Sequence, residues 1–309
     1  MSFGGLAVET FATYTSDKWS SMVHNLARMK AKETLLQLSE RAATGIGEEL
    51  AGLVRASSDE IPNVSNHKRV DSQWVYWFRN QEERDTLASF LKATPLDQAT
   101  IFNIAPQDKH ATLAVILREP EIWIGLRIAP GALVDRRNLG SKLSKSWERE
   151  ALRDRLRELP EGAQVGSEGA TVPTAEVTLD TLAEMTERLG DKEPTWLLGH
   201  AVASADAIEL GPDLADHVGR WLGVLAPFYR WAAWTRSNDH IEATKQIQEE
   251  KAAKRRQATS YQSGDKVRIV AGLFSGKLGV VENVDTKAQV KVRVGKMSVV
   301  VSGHDLVPG

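Results

Sequence analysis

Residues 239–257, DHIEATKQIQEEKAAKRRQ, are strong helix formers with almost no apolar face. A helix that is polar on every side has nothing to bury, so it stays solvated and bridges units rather than packing into one. This stretch therefore divides the 309-residue chain into a large body and a small C-terminal unit. The length alone argues for more than one folding unit. As a helix the stretch would span about 1.5 Å per residue. It ends in a basic cluster of Lys251, Lys254, Arg255 and Arg256. The expected organisation is an N-terminal helical arm over 1–56, a body over 70–238, a helical basic linker over 239–260 and an all-β unit over 261–309.

Along the body, helical and strand patterns mix. Trp19, Met22, Val23, Leu26, Met29 and Leu36 recur near helical spacing, which predicts a helix from 16 to about 43, stopped by Gly45 and Gly47. A short helical piece over 48–54 and a polar loop over 57–68 follow. In SQWVYWFRN, Trp74, Tyr76 and Phe78 share one face of a strand, whereas Trp74 and Trp77 point to opposite faces. Asn80 with Glu83 gives an N-cap pattern for a helix through Leu91. Strands are expected around 101–104, 111–117, 122–128 and 196–202, with a small irregular stretch after Gly162. Helices are expected over 135–159, over 179–189 and from Pro212, the last kinked or divided by Pro227. WIGLRIAPGALVDRRNL and WLLGHAVASADAIELGPDL each run from a Trp-led strand into a helix, as a duplicated unit would. The fold class is α+β, with a mixed or antiparallel sheet flanked by helices.

Apolar residues form 42% of the chain, enough for a packed core. The absence of cysteine excludes disulfides, thiolate nucleophiles and cysteine metal sites, and fits a reducing compartment. No basic leader precedes an apolar run, and no apolar stretch approaches the roughly twenty residues of a membrane helix. A cytoplasmic protein without membrane contact is the expectation. The net charge of −2 is unevenly placed: residues 241–309 carry 12 Lys+Arg against 7 Asp+Glu, leaving 27 against 34 in residues 1–240. An acidic body favours protein or peptide partners over nucleic acid.

From Gly264 the sequence reads GDKVRIVAGLFSGKLGVVENVD, and valines or isoleucines at 267, 269, 290, 292 and 294 alternate with polar residues. Gly272, Gly276 and Gly279 mark the turn between the first two strands. Through Gly264, Asp265, Val267, Ile269, Gly272, Phe274, Gly276, Lys277, Gly279, Val281 and Asp285, the segment resembles the KOW motif. That motif is the small SH3-like barrel of NusG-type transcription factors and certain ribosomal proteins. The resemblance covers about a sixth of the chain. It implies a binding module that docks on nucleic acid or on other proteins, and it implies no catalysis. Lys266, Arg268, Lys291 and Arg293 alternate with the inward valines and would form a basic face, while Phe274 and Lys277 on the glycine turn are candidate contacts.

None of the seven histidines has the spacing of an HExxH helix or accompanies a GxSxG elbow, and no Walker A or GxGxxG sequence follows a strand. No catalytic residue, metal ligand or cofactor is assigned, and His110 and His200 are read as structural. Nine tryptophans invite a different reading. Most are expected to fill the core, while Trp74, Trp77 and the FYRWAAW stretch, with Tyr229, Arg230, Trp231 and Trp234, are candidates for an aromatic binding surface. Three functions compete: an adaptor docking on RNA, ribosome or RNA polymerase through the C-terminal barrel while its acidic body holds a protein partner; a peptide-binding or scaffolding protein in which the aromatic-rich body captures the ligand; and, least favoured, an enzyme whose site is assembled from scattered residues. None of these readings fixes an oligomeric state.

Overall fold

Alternating strand sequences build two antiparallel sheets joined to helices in an α+β fold. The computed structural model describes residues 3–93, 105–189, 194–241, 261–285 and 289–309. The chain divides into two units, Met1–Ala88 with Pro95–Ile241, and Glu242–Gly309 with Ser89–Thr94. The basic cluster Lys251–Arg256 and the strand expected over 101–104 lie outside the described residues. Among the described residues, no helix is long and apolar enough to cross a membrane.

The first unit carries a seven-stranded sheet: β1 (Leu53–Ser57), β2 (Ser72–Arg79), β3 (Thr112–Arg118), β4 (Glu121–Ile128), β5 (Gln164–Ser167), β6 (Ala170–Pro173) and β7 (Trp196–Ala203). Their spatial order is β1-β2-β3-β4-β7-β5-β6, with every pairing antiparallel. The period of two gives the sheet distinct faces. On one, Val75, Trp77, Val115, Ile124, Leu126, Leu198 and Val202 enter the main core. On the other, Tyr76, Phe78, Ala114, Ile116 and Trp123 form a separate apolar cluster.

The helices are α1 (Val8–Ala12), α2 (Asn25–Thr44), α3 (Gln81–Ala93), α4 (Leu133–Leu143), α5 (Ser146–Arg157), α6 (Leu179–Glu187), α7 (Ser204–Glu209) and α8 (Leu214–Ala232), and all but α3 contribute to the main core. Leu35, Leu38 and Ala42 of α2 pack with Val218, Leu222 and Leu225 of α8 over the sheet. The two helices approach closely because Gly219 has no side chain: a Cβ there would stand 2.8 Å from the Ala42 carbonyl oxygen. Pro227 removes one backbone donor, yet α8 runs through it unbroken.

Several sequence expectations are revised. Met22, Val23, Leu26 and Met29 are exposed. The α2 face is instead set by Arg28, fully buried, whose guanidinium donates to the carbonyls of Lys18, Trp19 and Ser21. The helix expected over 135–159 is two helices, and Arg149 donates to the Leu143 carbonyl at the end of the first. The helical piece expected over 48–54 is a turn that leads into edge strand β1 (Leu53–Ser57), and the stretch after Gly162 holds hairpin β5–β6. Trp123 and Trp196, heads of the two echoing segments, face opposite sides of the sheet.

The second unit is a five-stranded antiparallel sheet of β8 (Lys266–Ile269), β9 (Leu278–Val284), β10 (Gln289–Val294), β11 (Met297–Ser302) and β12 (Leu306–Pro308). Their order is β11-β10-β9-β8-β12, an open sheet with β11 and β12 as edges. Val267, Ile269, Val281, Val290, Val292 and Leu306 form its own small core with Tyr261. The Tyr261 hydroxyl donates to the Leu306 carbonyl at 2.9 Å.

Candidate functional site

Strand register places three rows of side chains on the sheet face opposite α2 and α8. Trp74, Ile116 and Trp123 lie in one cross-strand row, completed by Ala201. The next row is nearly bare beyond Tyr76 of β2: Ala114, Gly125 and Gly199 lie opposite one another. The third holds Thr112, Arg127 and Leu197. Glycine inside a strand marks a close approach, and here the approaching group is the indole of Trp123. A Cβ on Gly125 would stand 2.4 Å from that ring, and one on Gly199 2.7 Å from it. The bare row lets the ring lie down along the sheet.

Arg127 reaches across the same trough to the other tryptophan. Its guanidinium carbon is 4.6 Å from the Trp74 ring centroid. Nη1 donates to Asp108 Oδ1 at 2.6 Å, so the guanidinium is held by a carboxylate and a ring at once. Trp74 Nε1 donates to Ser72 Oγ at 2.8 Å, which fixes the indole rotamer. Trp74 remains half-buried while Trp123 is 7% exposed.

Above these rows runs a groove of about 710 Å³, a volume typical of ligand-binding clefts. One end is walled by Tyr14, Trp19 and Asp71 and by the β3–β4 turn with Arg118, Glu119 and Glu121. The other is walled by Gln164, Glu168 and Thr171 of the β5–β6 hairpin. Arg118 pairs with Glu121 at 2.7 Å. Tyr14 is 1% exposed, its hydroxyl has no hydrogen-bond partner among the described residues, and burial pushes its pKa up. It therefore stays a protonated donor.

A second concentration of charge is enclosed. Arg79 and Asp135, each 1% exposed, form an ion pair. Asp135 also accepts the backbone N–H of Ala111 at 2.7 Å and of Trp234 at 2.8 Å. Around them lie Tyr229, its hydroxyl pKa pushed up by burial, and His110, held down at about 4 by burial and by Arg79. This centre clamps β2, β3, α4 and the end of α8 together. His200 stacks on Trp221 at 4.3 Å, with His217 at 5.5 Å. Among the described residues no group of three or more histidines and carboxylates is placed to hold a metal ion.

Of the aromatic candidates, only Trp74 belongs to the groove. Trp77, Tyr229 and Trp234 are buried and form no surface, because the main core claims the inward face of β2 and the inner side of α8. Arg230 donates to the Glu48 and Glu49 carbonyls, both at 2.9 Å. Trp231 lies beside Lys142 and donates to Glu148. In the second unit, Lys266, Arg268, Lys277, Lys291 and Arg293 are exposed, and Lys266 and Arg293 share a cross-strand row through Val280. Lys291 pairs with Glu282 at 3.5 Å. Phe274 is half-buried against the small core, while its neighbour Leu273 is fully exposed at 100%. Sequence reasoning missed Arg127, Glu119, Glu168 and Thr171; Gly125 and Gly199 inside apolar strands were the signal for a close approach on this face. The sequence matches no family model and no curated protein.

Proposed function

We propose that the body is a non-catalytic binding module that captures an extended peptide in the groove across β2, β3, β4 and β7. One observation carries this reading: a groove lined by the half-buried Trp74, the stacked Arg127 and polar residues of two hairpins. Aromatic and arginine side chains offer large contact area with few torsions to freeze, the composition of protein-recognition surfaces. Capture in the groove is favoured over strand addition at β6, a four-residue edge that ends in Pro173, which lacks an amide donor. Thr171 is exposed on the groove wall, so Thr171→Trp plugs the groove without entering the core. Peptide display against the full chain should enrich binders that the plugged variant loses. Binders retained equally by both would place the site elsewhere.

The C-terminal unit gives a second, compatible reading. As a KOW-like, SH3-like barrel it would dock the protein on RNA, ribosome or polymerase, and the row joining Lys266 to Arg293 favours a phosphate-bearing or acidic surface. The sheet is open between β11 and β12, so this reading rests on the basic row and on the motif resemblance of residues 264–285, not on closure of a barrel. Lys266→Glu with Arg293→Glu should remove nuclease-sensitive association with ribosomal or polymerase components from lysate. Unchanged capture would exclude this face as the hook.

A further inference from the structure

Charge at the groove is not balanced. Its two arginines are already paired, Arg118 with Glu121 at 2.7 Å and Arg127 with Asp108 at 2.6 Å. The remaining carboxylates of the lining are Asp71, Glu119 and Glu168. Asp71 accepts a hydrogen bond from Ser72 Oγ at 2.8 Å. Glu119 and Glu168 are exposed and have no ion-pair or hydrogen-bond partner through their carboxylates among the described residues. The lining thus presents uncompensated negative charge over an aromatic floor.

The placement of that charge is informative. Glu121 pairs with Ala203 at one end of the β4–β7 ladder, and Ile128 pairs with Trp196 at the other. Glu119 stands beyond the first end in the β3–β4 turn. Ser167 pairs with Trp196, so Glu168 stands beyond the second. Seven strand steps separate the two ends of the ladder, roughly 23 Å at about 3.3 Å per residue. An extended chain of about eight residues covers the same distance. Between the acidic ends lie Trp74 and Trp123, and the lining includes Tyr14, whose buried hydroxyl has no hydrogen-bond partner among the described residues.

We propose that the occupant of the groove is an extended peptide with cationic side chains near both ends and an apolar or aromatic middle. This rests on the peptide-capture reading and adds the chemistry of the peptide. A lysine or arginine at either end meets Glu119 or Glu168, and its alkyl stem or guanidinium covers an indole. A nucleic-acid strand would bring phosphates against the same carboxylates. The acidic balance of residues 1–240 draws the same cationic ligand from a distance, within the reach that salt screening allows.

The test is a positional-scanning decapeptide library, acetylated and amidated so that no terminal charge contributes, bound to the full chain. It is repeated on the double variant Glu119→Lys, Glu168→Lys and on Thr171→Trp. Both glutamates are exposed and unpartnered, so the charge reversal leaves folding intact. The expected result is about tenfold enrichment of Lys and Arg over Glu at two positions roughly seven residues apart, equal to about 1.4 kcal/mol. The double variant should invert that preference, and Thr171→Trp should abolish binding. Enrichment of apolar residues alone, unchanged in the double variant but lost in Thr171→Trp, would overturn the cationic specificity and leave peptide capture standing. Binding that survives Thr171→Trp, or a library with no binders, would overturn both. So would a single-stranded RNA oligomer that binds in the groove where the peptides do not.

Discussion

Arg127 crosses one strand to stand over Trp74, 4.6 Å from the ring centroid, while its Nη1 holds Asp108 at 2.6 Å. The side chain is thereby fixed against both a ring and a carboxylate before any ligand arrives. Preorganised contacts of this kind cost little to order on binding. Arg127→Ala should free the indole and weaken binding of groove-selected peptides by about tenfold, within the range of cation–π and interface contributions. Arg127→Lys should recover only part of it, because an ammonium lacks the planar fork. Isothermal titration of the three proteins with one selected peptide checks the order.

Gly199 has no room for a side chain: its Cβ would stand 2.3 Å from the Ile124 carbonyl oxygen and 2.7 Å from Trp123. Gly199→Ala should cost about 1–3 kcal/mol. It should also lift the Trp123 ring, so both urea stability and peptide affinity fall. An unaffected urea midpoint would show that the β4–β7 ladder yields without strain.

Asp135 anchors Arg79 and two backbone amides inside the protein. Asp135→Ala should cost roughly 3–5 kcal/mol, because it leaves a buried guanidinium without its counter-charge. Arg79→Met with Asp135→Leu should be markedly more stable than Asp135→Ala, since no charge is stranded. A double-mutant cycle in urea measures the difference.

His110 faces Arg79, Asp135, Arg84 and Lys109, and its folded pKa of about 4 lies below the unfolded value near 6.5. The unfolded chain therefore takes up the proton first. The stabilisation is complete above about pH 6.5 and is lost as pH falls towards 4, amounting to at most about 3 kcal/mol. In His110→Phe, whose ring keeps the stack on Phe78, the dependence of the urea midpoint on pH should flatten across that window.

In the second unit, Phe274 and Leu273 are neighbours with opposite fates. Phe274→Ala should destabilise that unit by about 2 kcal/mol or more, and Leu273→Ala by less than about 0.5 kcal/mol. All nine tryptophans precede residue 241, so fluorescence reports on the body alone. Amide hydrogen exchange over 261–309 separates the two variants.

β2, β3, β4 and β7 were legible from sequence because strands buried on both faces read as short, nearly continuous aliphatic and aromatic runs. The alternating valines of the second unit were legible because its strands bury one face and expose the other. Met22, Val23, Leu26 and Met29 misled because buried Arg28, a charged residue satisfied by carbonyls, sets the face of α2. The FYRWAAW stretch misled because exposure of a ring depends on which helix face meets the sheet, a tertiary fact. The groove was hidden for a related reason. Its parts come from β2, two hairpins and the N-terminal segment, and only the pairing of β2, β3, β4, β7, β5 and β6 in one sheet brings those strands together.

Each tryptophan contributes one indole N–H resonance, and single Trp→Phe variants assign all nine. Titrating the labelled full chain with a groove-selected peptide should move the resonances of Trp74, Trp123 and Trp19, which line the groove, and leave Trp77, Trp196 and Trp234 in place. Saturating shifts confined to Trp147 or Trp231, with Trp74 unmoved, would contradict the assignment of the groove as the binding site.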